Sequence, residues 1–282
     1  MAEGLEPAWV LHRRSYGDNG LLIELLGLTT GRFSAVVGGA RRKTHGGSVV
    51  ALLQPFSPLL VAPRGRAELK SLHQLESAGP RLPLSGLPLL SGLYLNELLI
   101  RVLPRFDAHP SLFAYYGTAL ESLSAVGPSS SPYLTADGAA AQGGTTGLPL
   151  PAEEALRRFE LALLTSLGYA VEFDRDSDGD LIEEPFIYTF DPALGFQRCV
   201  FSVAEASSAG PGRYGGRQLR AIDHWLSHYA LLDEDCRQPL KTITRVALAV
   251  LLGDKPLRAR ELARQHMAMT GGTQTKLELA SD

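Results

Sequence analysis

The residues best suited to chemistry in this chain are a run of cations, Gly38-Gly39-Ala40-Arg41-Arg42-Lys43. Glycines let a backbone approach a surface closely, and three cations on such a turn can reach successive phosphates. Each neutralised phosphate releases condensed counterion, so binding of this kind is strong, blind to sequence and weakened by salt. A solvated loop with incidental charge would look the same in isolation. Other bases in the first part of the chain favour a polyanion surface: Arg64, Arg66 and Lys70 stand around a second turn, and Arg13, Arg14 and Arg32 precede the run.

Three further patterns suggest metal or nucleotide chemistry and fall short of it. Asp174-Arg175-Asp176-Ser177-Asp178-Gly179-Asp180-Leu181 matches a calcium loop at its first, third, fifth and sixth positions. The twelfth position, which requires a bidentate Glu, is Pro185, and Gly168 breaks the helix that should lead into the loop. The stretch reads instead as an acidic surface turn. Gly210-Pro211-Gly212-Arg213-Tyr214-Gly215 spells GxGxxG without a surrounding strand–helix–strand unit, and a turn before a helix accounts for it. His224 and His228 share a helical face, but no Glu sits between them as in HExxH and no Cys lies near. With no Walker loop, GxSxG or activated cysteine context, the chain reads as non-enzymatic, with no cofactor and no metal expected.

The elements that position these residues change character along the chain. Trp9–His12, Leu21–Leu28, Phe33–Val37, Leu59–Ala62 and Glu68–Leu75 are short apolar runs punctuated by turns, which predicts five strands. A small closed barrel of the OB type fits that pattern, as does another small β-sandwich or an SH3-like barrel. From Leu84 the apolar period becomes helical. Leu95, Leu98, Leu99, Val102 and Leu103 form one stripe ended by Pro104, and Phe113, Tyr116, Leu120 and Leu123 form a second. Leu156, Phe159, Leu163 and Leu167 form a third, stopped by Gly168. Phe186–Phe190 and Cys199–Val203 flank a turn at Asp191–Gly195, so a small β-hairpin interrupts the helical part. Leu219, Ile222, Leu226 and Tyr229, then Ile243, Val246 and Val250, make two more stripes. The fold class expected is α+β, with residues 1–82 a barrel domain and 83–269 a helical domain. Residues 127–150, whose only charge is Asp137, are expected to be a flexible insert, and 270–282 a disordered tail.

Composition sets the outer limits. With 282 residues, 45% hydrophobic and 20% charged, the chain can bury a core in about two domains. Cys199 and Cys236 are too few for a disulfide scaffold. The acidic Met-Ala-Glu-Gly-Leu-Glu-Pro start does not resemble a signal peptide, and Leu87–Leu103, interrupted by Asn96, Glu97 and Arg101, is a poor membrane span. A cytoplasmic protein without a membrane partner is expected. The net charge of −3 argues against a nucleic-acid protein until it is divided. Trp9–Glu76 holds nine Lys and Arg against four Asp and Glu, a net of +5, whereas Glu172–Asp191 holds eight carboxylates and Arg175 alone as a base.

Several stretches then match a known pattern in order: Trp9-Val10-Leu11-His12-Arg13; Gly31-Arg32 leading to Gly38-Gly39-Ala40-Arg41-Arg42; Leu53-Gln54-Pro55-Phe56; Gly65-Arg66-Ala67-Glu68-Leu69-Lys70; Tyr94-Leu95-Asn96-Glu97-Leu98-Leu99; Leu156-Arg157-Arg158-Phe159-Glu160 with Leu167-Gly168-Tyr169; and Gly253-Asp254-Lys255-Pro256-Leu257 with Arg260-Glu261-Leu262. Together they resemble the bacterial recombination mediator family RecO. That resemblance implies an N-terminal OB-fold and a helical domain, binding to single- and double-stranded DNA, and strand annealing. It also implies partnership with RecR and loading of recombinase onto DNA coated by the single-strand binding protein SSB, in a cytoplasmic, nucleoid-associated setting. The DNA surface it implies is the basic set Arg13, Arg14, Arg32, Arg41, Arg42, Lys43, Arg64, Arg66 and Lys70. The acidic, Phe-ended tail of SSB would dock on the helical domain, with Arg157 meeting its carboxylates and Phe159 and Leu163 forming the wall of an apolar pocket. Many relatives carry a four-cysteine zinc site where this chain has only Cys199, so zinc is not expected. The other reading of the same residues is an interaction scaffold whose basic barrel binds an acidic protein rather than DNA.

Overall fold

The computed structural model describes residues 4–38, 49–126, 148–202, 212–228 and 230–278. Arg41, Arg42, Lys43 and all but the last residues of the expected 127–150 insert lie outside that set. Five strands, β1 (Glu6–Tyr16), β2 (Gly20–Gly27), β3 (Gly31–Val37), β4 (Pro58–Arg64) and β5 (Leu69–Ser77), close into a barrel in the order β1-β2-β3-β5-β4. The β3–β5 pairing is parallel and the others antiparallel, and a short helix, α1 (Val49–Leu52), lies between β3 and β4, the arrangement of an OB-type barrel. Strand side chains alternate between faces, and the inward set is apolar: Val10, Leu21, Ile23, Leu25, Phe33, Ala35, Val37, Leu59, Val61 and Leu72.

Three helices join the barrel in one compact unit made of Met1–Ser129 and Pro256–Asp282. They are α2 (Gly86–Val102), α3 (Pro110–Ser124) and, from the far end of the chain, α7 (Arg258–Glu278). The outward side chains of β1 need cover, and the helices supply it. Trp9 meets the Tyr116 ring edge-on at 5.8 Å, Asn96 donates from Nδ2 to the Leu11 carbonyl at 2.7 Å, and the Tyr116 hydroxyl donates to Asn96 Oδ1 at 2.6 Å. The buried Asn96 thereby has both ends of its amide satisfied. Glu97, one residue on, accepts the Arg258 and Ala259 N–H groups at 3.0 and 2.9 Å, capping the start of α7, and Arg260 donates to the Tyr94 hydroxyl at 2.9 Å. The Tyr94–Leu99 and Arg260–Leu262 motifs are thus two halves of one helix–helix junction. The helix α7 continues to Glu278, past Thr270, where the sequence reading expects disorder to begin. Once a helix is nucleated, each further residue adds a bond for little cost, which outweighs the poor propensity of Gly271 and Gly272.

The second compact unit, Ser130–Lys255, contains α4 (Leu150–Ser166), β6 (Phe186–Asp191), β7 (Gly195–Ser202), β8 (Arg213–Gly215), α5 (Gly216–His228) and α6 (Glu234–Leu252). Phe159, Leu163 and Leu164 of α4 and Leu240, Ile243 and Leu248 of α6 are fully buried, as their 3.6-residue spacing requires. Gly168 ends α4 at φ +82°, and Tyr169 donates back to the Leu164 carbonyl at 2.9 Å. The expected hairpin is present and carries a third strand. Arg213–Gly215, read from the sequence as a turn, pairs with β6 before running into α5. Three residues are too few to show a period of two, and the strand exists because β6 offers them an unpaired edge.

Candidate nucleic-acid interface

Strand register decides which barrel bases face outward together. Arg14 pairs with Leu22, Leu22 with Val36, Val36 with Ser71 and Ser71 with Arg64, so one row crosses all five strands with an arginine at each end. Cross-strand partners share a face. At about 4.8 Å per strand the row covers on the order of 20 Å of surface. Arg14 and Arg64 are exposed, as is Arg66 on the β4–β5 turn. Lys70 closes that turn by donating from Nζ to the Gly65 carbonyl at 2.9 Å. Val37, where the chain leaves the barrel toward the Gly38–Lys43 run, pairs with Leu21, one residue from the same row. His12, which the sequence reading left out, is exposed on the same strand as Arg14.

Two of the expected bases have internal work instead. Arg13 is half-buried and donates to the Val50 carbonyl of α1 at 3.1 Å. Arg32 is 9% exposed, donates from Nε to the Leu103 carbonyl at 2.8 Å, and pairs with Glu24 at 3.4 Å. Burial pulls its pKa below the ordinary arginine value, Glu24 opposes that fall and Arg105 adds to it. The guanidinium ties β3 to the end of α2 and is thus engaged inside the protein, which sets it apart from the exposed bases of the expected DNA surface. Sequence could not separate Arg32 from Arg14, because the groups that bury Arg32 lie some 70 residues away.

Two of the barrel's acids, Glu6 and Glu24, are likewise turned to structure. Glu24 accepts from Ser34, Arg32 and Arg105. Glu6, 8% exposed, accepts the N–H groups of Thr29 and Thr30 at 2.8 and 2.9 Å and both threonine hydroxyls, fixing the β2–β3 turn. Gly31 follows at φ +74°, where a Cβ would lie 2.1 Å from the Asp107 carbonyl oxygen. That close approach locks the 103–109 connection against β3, with Phe106 donating its N–H to the Arg32 carbonyl at 3.0 Å. Arg105 reaches Glu24 at 3.4 Å, and the Phe106 ring, 39% exposed, lies 4.8 Å from Lys70 Nζ. Neither Arg105 nor Phe106 was picked out from the sequence, since a short connection after Pro104 carries no periodic signal.

In the second unit the expected peptide-binding residues form core. Arg157 is 5% exposed, is bound to the buried carboxylate of Glu160, and donates to Thr244 Oγ1 at 3.3 Å. Phe159 and Leu163 are fully buried. An arginine so paired would have to part from Glu160 to meet a peptide carboxylate, and Phe159 and Leu163 line no open surface in this arrangement. The helical stripe predicted correctly that they lie inward and could not reveal that α6 would fill the space. Arg158 stacks over Trp225 at 4.0 Å and donates to its carbonyl at 2.8 Å.

The metal-like patterns resolve into turns. Asp176 Oδ1 accepts the N–H groups of Asp178 and Asp180, both at 3.0 Å, so the loop is a hydrogen-bonded acidic turn. Among the described residues the one group of three potential ligands within 4.8 Å of one another is Asp233, Asp235 and Cys236. Burial, with the two aspartates adding to it, pushes the Cys236 thiol up to about 12, which holds it protonated and makes it a poor ligand. His224 and His228 stack at 4.3 Å on an exposed face. Among the described residues no helix is long and apolar enough to cross a membrane.

Comparison with known proteins meets this geometry from another direction. Residues 1–81, the barrel, match the family described as "Recombination protein O N terminal". Over 266 residues the chain is 37% identical to the DNA repair protein RecO of Salmonella schwarzengrund, covering 94% of this chain and 96% of that one. The DNA repair protein RecO of Escherichia coli strain K12 is 38% identical over the same span and shares.

Proposed function

The chain belongs to the RecO family of DNA repair proteins, and on that premise we propose that it is a recombination mediator that holds DNA on the outer face of its barrel. A role in DNA repair and recombination comes with the family. The finer reading is that Arg14, Arg64, Arg66 and Lys70, with Arg41, Arg42 and Lys43, contact the phosphates of single- and double-stranded DNA. The observation that carries it is the outward arginine row beside the exit of the cationic run, with two of the barrel's acids, Glu6 and Glu24, engaged in internal bonds. Such a face offers net positive potential, since the bases outnumber the exposed carboxylates such as Glu68.

On this reading the protein anneals strands and helps load recombinase onto SSB-coated DNA, in partnership with RecR and the SSB tail, by binding rather than catalysis. It works in the cytoplasm at the nucleoid. A tail contact at Arg157 would require its guanidinium to exchange Glu160 for the peptide carboxylate. Fluorescence anisotropy with a labelled single strand and a labelled duplex, titrated with salt, tests the DNA surface. We expect tight low-salt binding with a steep salt dependence, and a slope reduced by roughly 0.7 for each single-strand phosphate contact removed. Replacing Arg14, Arg64 and Arg66 by Ala probes the row, and replacing Arg41, Arg42 and Lys43 probes the run. Absence of binding at low salt, or an unchanged slope in both variants, defeats the proposal. An acidic peptide bound in place of DNA would reveal the scaffold instead.

A further inference from the structure

We propose that Phe106 is a stacking platform for an unpaired nucleobase, giving this barrel a preference for single strands; the inference rests on the DNA reading above and adds to it the form of DNA preferred. Phe106 is a bulky residue held at φ +58°, a conformation that costs energy for anything but glycine. Nothing about solvent rewards that cost, because the ring is 39% exposed when it could have been turned inward. The backbone around it is over-determined. Its N–H donates to Arg32, Arg105 bridges in parallel with Arg32 and reaches Glu24, and the carbonyl of Asp107 sits where a side chain on Gly31 would be. The ring is therefore presented on a rigid mount.

What surrounds it is cationic. Lys70 Nζ lies 4.8 Å from the ring centroid, held there by the Gly65 carbonyl, and the exposed Arg64 and Arg66 belong to the same turn. An ammonium can cover only one face of a ring, which leaves the other to a second planar partner. A base offers a planar π-face of any sequence, and the phosphate on either side of it meets the cations. In a duplex the bases are already stacked on one another, so this partner exists only in single strands. An aliphatic peptide side chain would gain nothing from the flanking charges, and a phosphate alone would gain nothing from the ring.

The test compares Phe106→Ala, Phe106→Gly and Phe106→Trp with the unaltered protein, measuring affinity for a thymidine oligonucleotide and for a blunt duplex at one low salt concentration. Glycine relieves the backbone, and unchanged duplex affinity in Phe106→Gly shows that any loss of single-strand binding is not misfolding. We expect the Ala and Gly variants to lose about tenfold in single-strand affinity with duplex affinity unchanged. Phe106→Trp should keep the affinity, and its added fluorescence should be quenched by the oligonucleotide. Single-strand affinity unchanged in Phe106→Gly, or equal losses for both DNA forms, overturns the stacking role while leaving the arginine row intact. No binding of either DNA form by the unaltered protein overturns the DNA reading and this inference with it.

Discussion

The barrel and the second compact unit handle charge in opposite ways. In the barrel the buried ionisable groups are Glu6, which clamps a turn, and Arg32, which pairs with the part-buried Glu24, while Arg14, Arg64 and Arg66 face outward. In the other unit the buried set includes Arg157 and Lys241 as well as Glu153 and Glu160, and exposed carboxylates gather at Asp174, Asp178, Asp180, Glu183 and Glu184. Burial lowers the Lys241 pKa, and Arg245 and Arg157 lower it further against the pull of Glu153 and Glu160. Arg175, Arg198 and Arg220 each pair with one of the exposed acids, so their charge is locally answered. A net charge of −3 averages a surface open to polyanions with one that carries an excess of acid, only part of it answered by neighbouring arginines.

The contrast can be broken most directly at Arg157. Arg157→Ala removes the guanidinium bound to the Glu160 carboxylate, 1% exposed, and should cost about 3–5 kcal/mol in urea unfolding, with Arg157→Ala/Glu160→Ala recovering part of the loss. A single variant as stable as the parent would mean the pair is not buried. The barrel counterpart is Glu6→Ala, which leaves the Thr29 and Thr30 N–H groups without their acceptor and should cost about 2 kcal/mol. By contrast, Asp178→Asn with Asp180→Asn should stay within about 0.5 kcal/mol and leave DNA affinity untouched. A large gain in DNA affinity there would show that the acidic turn screens the bases.

The smallest effect concerns Asp223. Its pKa is raised by burial and then by Asp174, with His228, His224 and Arg220 opposing. A carboxyl whose folded pKa exceeds its unfolded value near 3.8 stabilises the fold fully below that pH and loses the contribution as pH rises through the folded value. At neutral pH the ionised group is therefore a liability. Asp223→Asn should unfold slightly later than the parent at pH 7, with the difference vanishing below pH 3.8; a variant less stable at pH 7 would contradict this.

Much of the architecture could be read from residue order because its signals are local. Leu21, Ile23 and Leu25 facing Phe33, Ala35 and Val37 announce paired strands, and Phe159 with Leu163 announces an inward helix face. What stayed hidden depends on distant partners. Arg14 and Arg32 are equal as letters, and only the Leu103 carbonyl and Glu24 make one of them structural. Arg157 was placed on the right helix, but its neighbour Thr244 lies 87 residues away. Phe106 had no signal at all, because its position is set by a glycine in another hairpin.

The return of α7 to the barrel's unit bears on how the chain is made. Glu97 caps α7 across 161 residues, so the second unit is an insertion in the sequence of the first. On a ribosome, Ser130–Lys255 emerges whole and can condense while the barrel's helical layer still lacks its last member. The barrel unit, begun first, is completed last, after closure of a long loop whose entropy must be overcome before Glu97 finds its partner. A stop codon shortly before Arg258 would therefore injure the start of the protein more than its middle.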